Sequence, residues 1–142
     1  MNKDIIYSNF APEPVGDYPH ARIVGDFIYL SGIGPRIFGK KEIPGVVLDE
    51  NKSILSYDFE KQCHSVFKNV KTVLLDTGLD WNDLIDVTVF LTNMKDDFKV
   101  YNRIYKDYFK DNHPCRTTLG INSLPTPIAI ELKCIAYKKR IK

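Results

Sequence analysis

The chain has 142 residues, 44% of them hydrophobic and 27% charged, with a formal net charge of +2. That is the length of a single domain, taken as 1–142, and enough chain to bury a core without disulfides. The near balance of charge argues against nucleic acid or an anionic membrane as a partner.

The opening stretch, "MNKDIIYSNFAPEP", has no apolar segment of the secretory kind, and no later run is long enough for a membrane span. A cytoplasmic protein is expected. "ARIVGDFIYLSG" then gives two short apolar runs around Gly25-Asp26, a hairpin with glycine in the turn. From Gly32 to Ser56 the chain carries Gly34, Pro35, Gly39, Pro44 and Gly45, and reads as a long irregular loop. In "YDFEKQCHSVFKNVKTVLLDTG", residues Phe59, Cys63, Val66, Phe67, Val70, Val73 and Leu74 fall on one helical stripe. Either Ser56 or Asp58 caps its start and Gly78 ends it. "DLIDVTVFLT" is a buried strand rich in β-branched residues. Asn93 and Asp96-Asp97 open a second helix, with Phe98, Tyr101, Ile104, Tyr105, Tyr108 and Phe109 as its apolar stripe. "CRTTLGI" is a short strand, "NSLPTP" a turn and "IAIELKCIAY" the last strand.

The order β-β-α-β-α-β-β makes an α+β fold with two helices on one face of a sheet. Ile128, Ile130, Leu132, Val87, Val89 and Leu91 fill that face, while Phe90 and Ile135 fall on the other. No segment remains to cover the second face, so another copy of the chain is the expected cover.

Cys63, Cys115 and Cys134 are few, odd in number and scattered, which suits a reducing compartment. His20, His64 and His113 lie too far apart in sequence to suggest zinc, and His20 and His113 read as surface residues. Arg116 heads one strand and is either a surface or interface arginine in a salt bridge or a clamp that holds a carboxylate through two parallel hydrogen bonds. Glu131 interrupts an apolar strand. It is either a solvated outward residue or an acid that positions or deprotonates a water. Cys115 reads as a buried structural cysteine. Tyr18 and Ser31-Gly32 lie where loops meet strand ends, and Asn102 lies within the second helix beside Tyr101.

Three blocks, "APEPVGDYPHARIVGDFIYLSGIGP", "DVTVFLTNMKDDFKVYNRIYKDYF" and "PCRTTLGINSLPTPIAIELKCIA", resemble in that order the Rid family, also called the YjgF family, of reactive intermediate deaminases. The resemblance runs from about Ala11 to Ala136. It implies a chorismate-mutase-like mixed sheet and a homotrimer packed sheet to sheet, with clefts between neighbours. It also implies hydrolysis of enamines and imines such as 2-aminoacrylate to ketoacid and ammonia, with no metal or organic cofactor. By position, the carboxylate-binding arginine falls on Arg116 and the acid that handles water on Glu131. The substrate-binding tyrosine, serine and asparagine fall on Tyr18, Ser31 and Asn102.

The chain also departs from the family pattern. Thr118 stands where many members carry a cysteine, "SGIGPR" replaces the usual Ser-Gly-Gln-Ile-Pro, and the following loop is longer. These features are similar to the 2-aminomuconate deaminase branch, whose substrate has two carboxylates. Arg36, alone or with Arg22 or His20, is the expected contact for the second one, the alternative being that Arg36 is a solvated loop arginine. The competing expectations are a non-catalytic trimer that binds a ketoacid or amino acid, and a ribonuclease. The lack of a basic stripe interleaved with aromatics argues against the ribonuclease.

Overall fold

The computed structural model describes residues 2–139, so the two ends of the expected 1–142 domain lie outside the described residues. The main sheet contains β1 (Ile5–Ile6), β2 (Ala21–Val24), β3 (Phe27–Leu30), β6 (Leu84–Leu91), β7 (Cys115–Gly120) and β8 (Ile130–Tyr137). Their order across the sheet is β1-β2-β3-β8-β6-β7. Every pairing is antiparallel except β6 with β7, which runs parallel. That parallel pair needs a crossover, and α2 (Met94–Tyr108) supplies it.

The other helix, α1 (Phe59–Asp76), is capped by Asp58, whose side chain accepts from the Lys61 amide. The alternative cap, Ser56, lies in the preceding strand. Asn93 caps α2 in the same way, accepting from the Asp96 amide. Gly25 turns the β2–β3 hairpin at φ +61°, and Gly78 follows α1 at φ +83°, conformations that favour glycine.

The anticipated stripe of α1 is buried along its whole length. It packs with Tyr101 and Ile104 of α2 onto Val87, Val89 and Leu91 of β6 and Ile130, Leu132, Cys134 and Ala136 of β8. Full burial of each large aliphatic side chain stabilises the fold by about 1.5–3 kcal/mol. Both helices thus cover one sheet face. On the other face Val24, Phe27, Tyr29 and Leu119 remain exposed.

Two features differ from the expectation. The Gly32–Ser56 stretch is not irregular throughout: β4 (Val46–Leu48) and β5 (Ile54–Tyr57) pair in it as a separate two-stranded hairpin. The two-residue β1 was also not anticipated, and it adds an edge to β2. The Ile128–Tyr137 strand forms from Ile130 onward.

Candidate active site

Strand alternation decides where Glu131 points. Ile130 and Leu132 face the helices, so Glu131 faces the open side, opposite Phe90 of β6. The chain leaving β3 runs beside it, with Ile33 bridged to Leu132 through amide–carbonyl bonds of 2.8 and 2.9 Å. This brings Gly32 against the Glu131 carboxyl group. A β-carbon at position 32 would sit 2.9 Å from both the carboxyl carbon and one oxygen, so any other residue there would push the carboxyl group out of this position.

An N-terminal arm closes over this corner. The Ser8 amide donates to His20 Nδ1 at 3.0 Å, and His20 Nε2 donates to the Pro12 carbonyl at 2.8 Å. An acceptor Nδ1 requires the proton on Nε2, so this is a neutral imidazole acting as a clasp. The Ser31 hydroxyl donates to the Pro19 carbonyl at 2.7 Å. Tyr18 is thereby held over a cavity that Ser31, Gly32, Arg36, His20 and Glu131 also line. Its volume is about 40 Å³, room for a few waters. Burial pushes the Glu131 carboxyl above the ordinary carboxylate range, and the positive charge of Arg36 opposes that shift.

Arg116 belongs to a different corner. It lies opposite Val87, a core residue of the neighbouring strand, so its side chain points to the helix face. There the guanidinium carbon lies 4.8 Å from the ring centre of Tyr105, 5.5 Å from Tyr101 and 5.9 Å from Phe98. Its Nη2 donates to Asn102 Oδ1 at 2.7 Å. Stacking and the hydrogen bond fix the plane of the fork and leave its other N–H groups for an anion. Burial raises the Tyr105 phenol to about 12, with Arg116 working against the rise. Thr118, two residues on and on the same face, has a buried hydroxyl with no hydrogen-bond partner.

Tyr18, Ser31, Arg36 and Glu131 therefore meet in one cavity, and Arg116 meets Asn102 elsewhere. One chain does not join the two groups, because Arg116 and Glu131 lie on opposite faces of the sheet with β6 between their strands. Three expectations need correction. His20 is buried, with both ring nitrogens engaged, so it is neither a surface residue nor a free ligand for a second carboxylate. Arg22 sits exposed on β2 opposite Tyr29 and does not line the cavity. Cys115 is exposed, because the inward turn of Arg116 sends its neighbour outward.

The sequence reading missed Ser65 and Asn69 of α1. The Ser65 hydroxyl donates to the Pro35 carbonyl at 2.7 Å, and Asn69 Nδ2 donates to the carbonyls of Gly34 and Arg36 at 2.9 and 2.7 Å. The available signal was a polar residue, Asn69, lying between Val66, Val70 and Val73 on a mostly apolar stripe. Among the described residues no group of three or more histidine, cysteine, aspartate or glutamate side chains could hold a metal ion. No described helix is long and apolar enough to cross a membrane.

The family description "Endoribonuclease L-PSP" matches residues 8–138. A RutC family protein of Pyrococcus abyssi is 34% identical over 98% of this chain and 100% of its own. A 2-iminobutanoate/2-iminopropanoate deaminase of Dermatophagoides farinae is 31% identical, covering 94% of each chain. The crystal structure of E. coli TdcF with bound serine superposes with a TM-score of 0.82 at 28% identity, covering 96% of this chain and 100% of that one. With a match across nearly its whole length, the chain belongs to the Endoribonuclease L-PSP family, the Rid or YjgF family that its three sequence blocks resemble.

Proposed function

We propose that the protein is an enamine/imine deaminase that hydrolyses 2-aminoacrylate-type intermediates to ketoacid and ammonia. The observation that carries this reading is a half-buried carboxylate, Glu131, facing a water-sized cavity. The stacked arginine, Arg116, supplies the complementary carboxylate clamp. The deaminase name of the mite relative and the serine bound in the E. coli structure support the same substrate chemistry. Three free thiols agree with a cytoplasmic setting.

In this reading the two corners belong to one active site shared between copies of the chain. The exposed Val24, Phe27, Tyr29 and Leu119 on the open sheet face support packing into a homotrimer. Arg116, held by Asn102, binds the substrate carboxylate. Glu131 of the neighbouring copy holds a water, with Tyr18 and Ser31 shaping the pocket. The enamine tautomerises to an imine, and the water oxygen bonds to the imine carbon as its proton passes to Glu131. That proton goes to nitrogen to give a carbinolamine, whose hydroxyl then becomes the ketone carbonyl as its own proton passes to nitrogen, the C–N bond breaks and ammonia leaves. The imine carbon is already electrophilic, so positioning and a fixed positive charge supply most of the gain. The reaction is a hydrolysis and transfers no electrons.

The test is ammonia release from freshly generated 2-aminoacrylate. Wild type should accelerate it, and Arg116→Ala should lower kcat/KM about ten- to hundredfold, the value of a charge-assisted hydrogen bond. No acceleration by wild type would leave a ketoacid- or amino-acid-binding trimer as the better reading.

Within this function, Arg36 supports a preference for a second carboxylate, as in 2-aminomuconate. It is the arginine lining the Glu131 cavity, and it also borders an adjoining groove with Lys40 and Lys41. Arg36→Ala should raise KM about tenfold for the dicarboxylic enamine and leave that for 2-aminoacrylate nearly unchanged. Equal changes for both substrates would remove Arg36 from substrate recognition.

A further inference from the structure

The chain beyond Ile33 is tied to α1 at three consecutive carbonyls. Asn69 holds Gly34 and Arg36 through the two protons of one amide nitrogen, and Ser65 holds Pro35 between them. Asn69 is only 7% exposed, so its amide has to find partners inside the protein. The reverse orientation of that amide would set an oxygen against two carbonyls. The loop itself is built for close approach. A β-carbon on Gly34 would lie 2.7 Å from the end of Ile128, and Pro35 has a fixed φ. Beyond the strap, Arg36 Nη2 donates to the Glu13 carbonyl at 2.5 Å, tying the same loop to the N-terminal arm. The backbone of Arg36 and one end of its side chain are thus both anchored, and a long side chain loses most of its freedom before any ligand arrives.

We propose that Ser65 and Asn69 are positioning residues that hold the Arg36 guanidinium at the Glu131 cavity and so fix the positive charge beside the acid. This deepens the deaminase reading and rests on Glu131 as the acid that handles water. The titratable groups around Glu131 are few. Tyr18, His20 and Arg36 line its cavity, and both His20 ring nitrogens are engaged with the Ser8 amide and the Pro12 carbonyl. Lys133 lies two residues along the same face of β8, but its ammonium is turned to the Leu30 carbonyl. Across on β6 stands the apolar Phe90. Glu13 and Asp17 on the arm are exposed. Arg36 is therefore the cation that opposes the desolvation of Glu131. Loosening the strap should let that cation drift and make the carboxylate harder to ionise.

The experiment follows the Glu131 carboxyl by carbon NMR across pH in the intact protein, with Glu131→Gln giving the assignment. The midpoint should move upward in Arg36→Ala. It should move in the same direction, by a smaller amount, in Asn69→Ala and Ser65→Ala. The acidic limb of kcat/KM for 2-aminoacrylate should shift to higher pH in the same order. If Asn69→Ala fails to fold, Ser65→Ala still reads the strap, because Ser65 is less buried. An unmoved midpoint in Ser65→Ala and in any folded Asn69→Ala, with a raised one in Arg36→Ala, would overturn the strap. An unmoved midpoint in Arg36→Ala would remove the cation from the cavity. The titration needs no substrate, so a wild type that releases no ammonia would sink the deaminase reading while leaving this result intact.

Discussion

Glu131→Gln should cut ammonia release about 10²- to 10⁴-fold, the usual value of a positioned acid–base group, and should raise the thermal midpoint at neutral pH. The two effects share one cause. Burial of Glu131 raises its carboxyl above the ordinary value of 4.5, so the fold disfavours its charged form. A carboxyl whose folded value is raised favours the folded state fully below its unfolded value. That contribution is lost as pH rises through the folded value. Wherever the folded acid is charged, the protein therefore carries the cost of its partial desolvation. Glutamine keeps the shape and a polar end, so it still fills the space against Gly32, and it carries no charge. Calorimetry of wild type and variant at pH 7 and near pH 4 tests this. The stability gain should be present at pH 7 and shrink in acid, where the wild-type carboxyl is protonated. A variant less stable than wild type at pH 7 would mean that the charged acid is compensated by its surroundings. It would then be an ordinary structural residue, not a strained functional one.

Helical periodicity made most of the fold legible. The apolar stripe of α1 and its boundaries at Asp58 and Gly78 are local features, set by side-chain spacing and by backbone groups that need caps. The same holds for Asn93 at α2. The hairpin β4–β5 escaped because its strands are three and four residues long, partly exposed, and lie in a stretch rich in glycine, proline and charge. Glu131 was visible as a charge inside an apolar alternation. The exposed state of Cys115 was not, because the parity of a short edge strand is set by its pairing with β6, not by its own sequence. His20 was misjudged for a similar reason. Its partners Ser8 and Pro12 reach it through the folding of an arm, and no spacing rule predicts that clasp. Which candidate residues share a corner is a matter of sheet topology. The family resemblance implies a shared site for Arg116 and Glu131, but within one chain the strand order separates them.

That separation leads to the sharpest expected result. Arg116→Ala and Glu131→Gln, each impaired alone by about tenfold or more, should restore activity when the two chains are co-expressed. If each site takes its arginine from one copy and its glutamate from the next, a hybrid ring contains some sites with neither substitution. With equal amounts and random assembly, a site draws an intact Arg116 half the time and an intact Glu131 half the time. About a quarter of wild-type turnover should therefore return, whatever the number of copies in a closed ring. If both groups came from a single chain, every site would carry one defect and mixing would restore nothing. Differently tagged chains, purified through both tags in sequence, ensure that the measured material is hybrid. Within such hybrids turnover should clearly exceed that of either parent. Hybrids that form and stay inactive would rule out a site shared between copies. Arg116 would then act where the structure holds it, stacked beneath α2 and braced by Asn102, as a structural cation and not a substrate clamp.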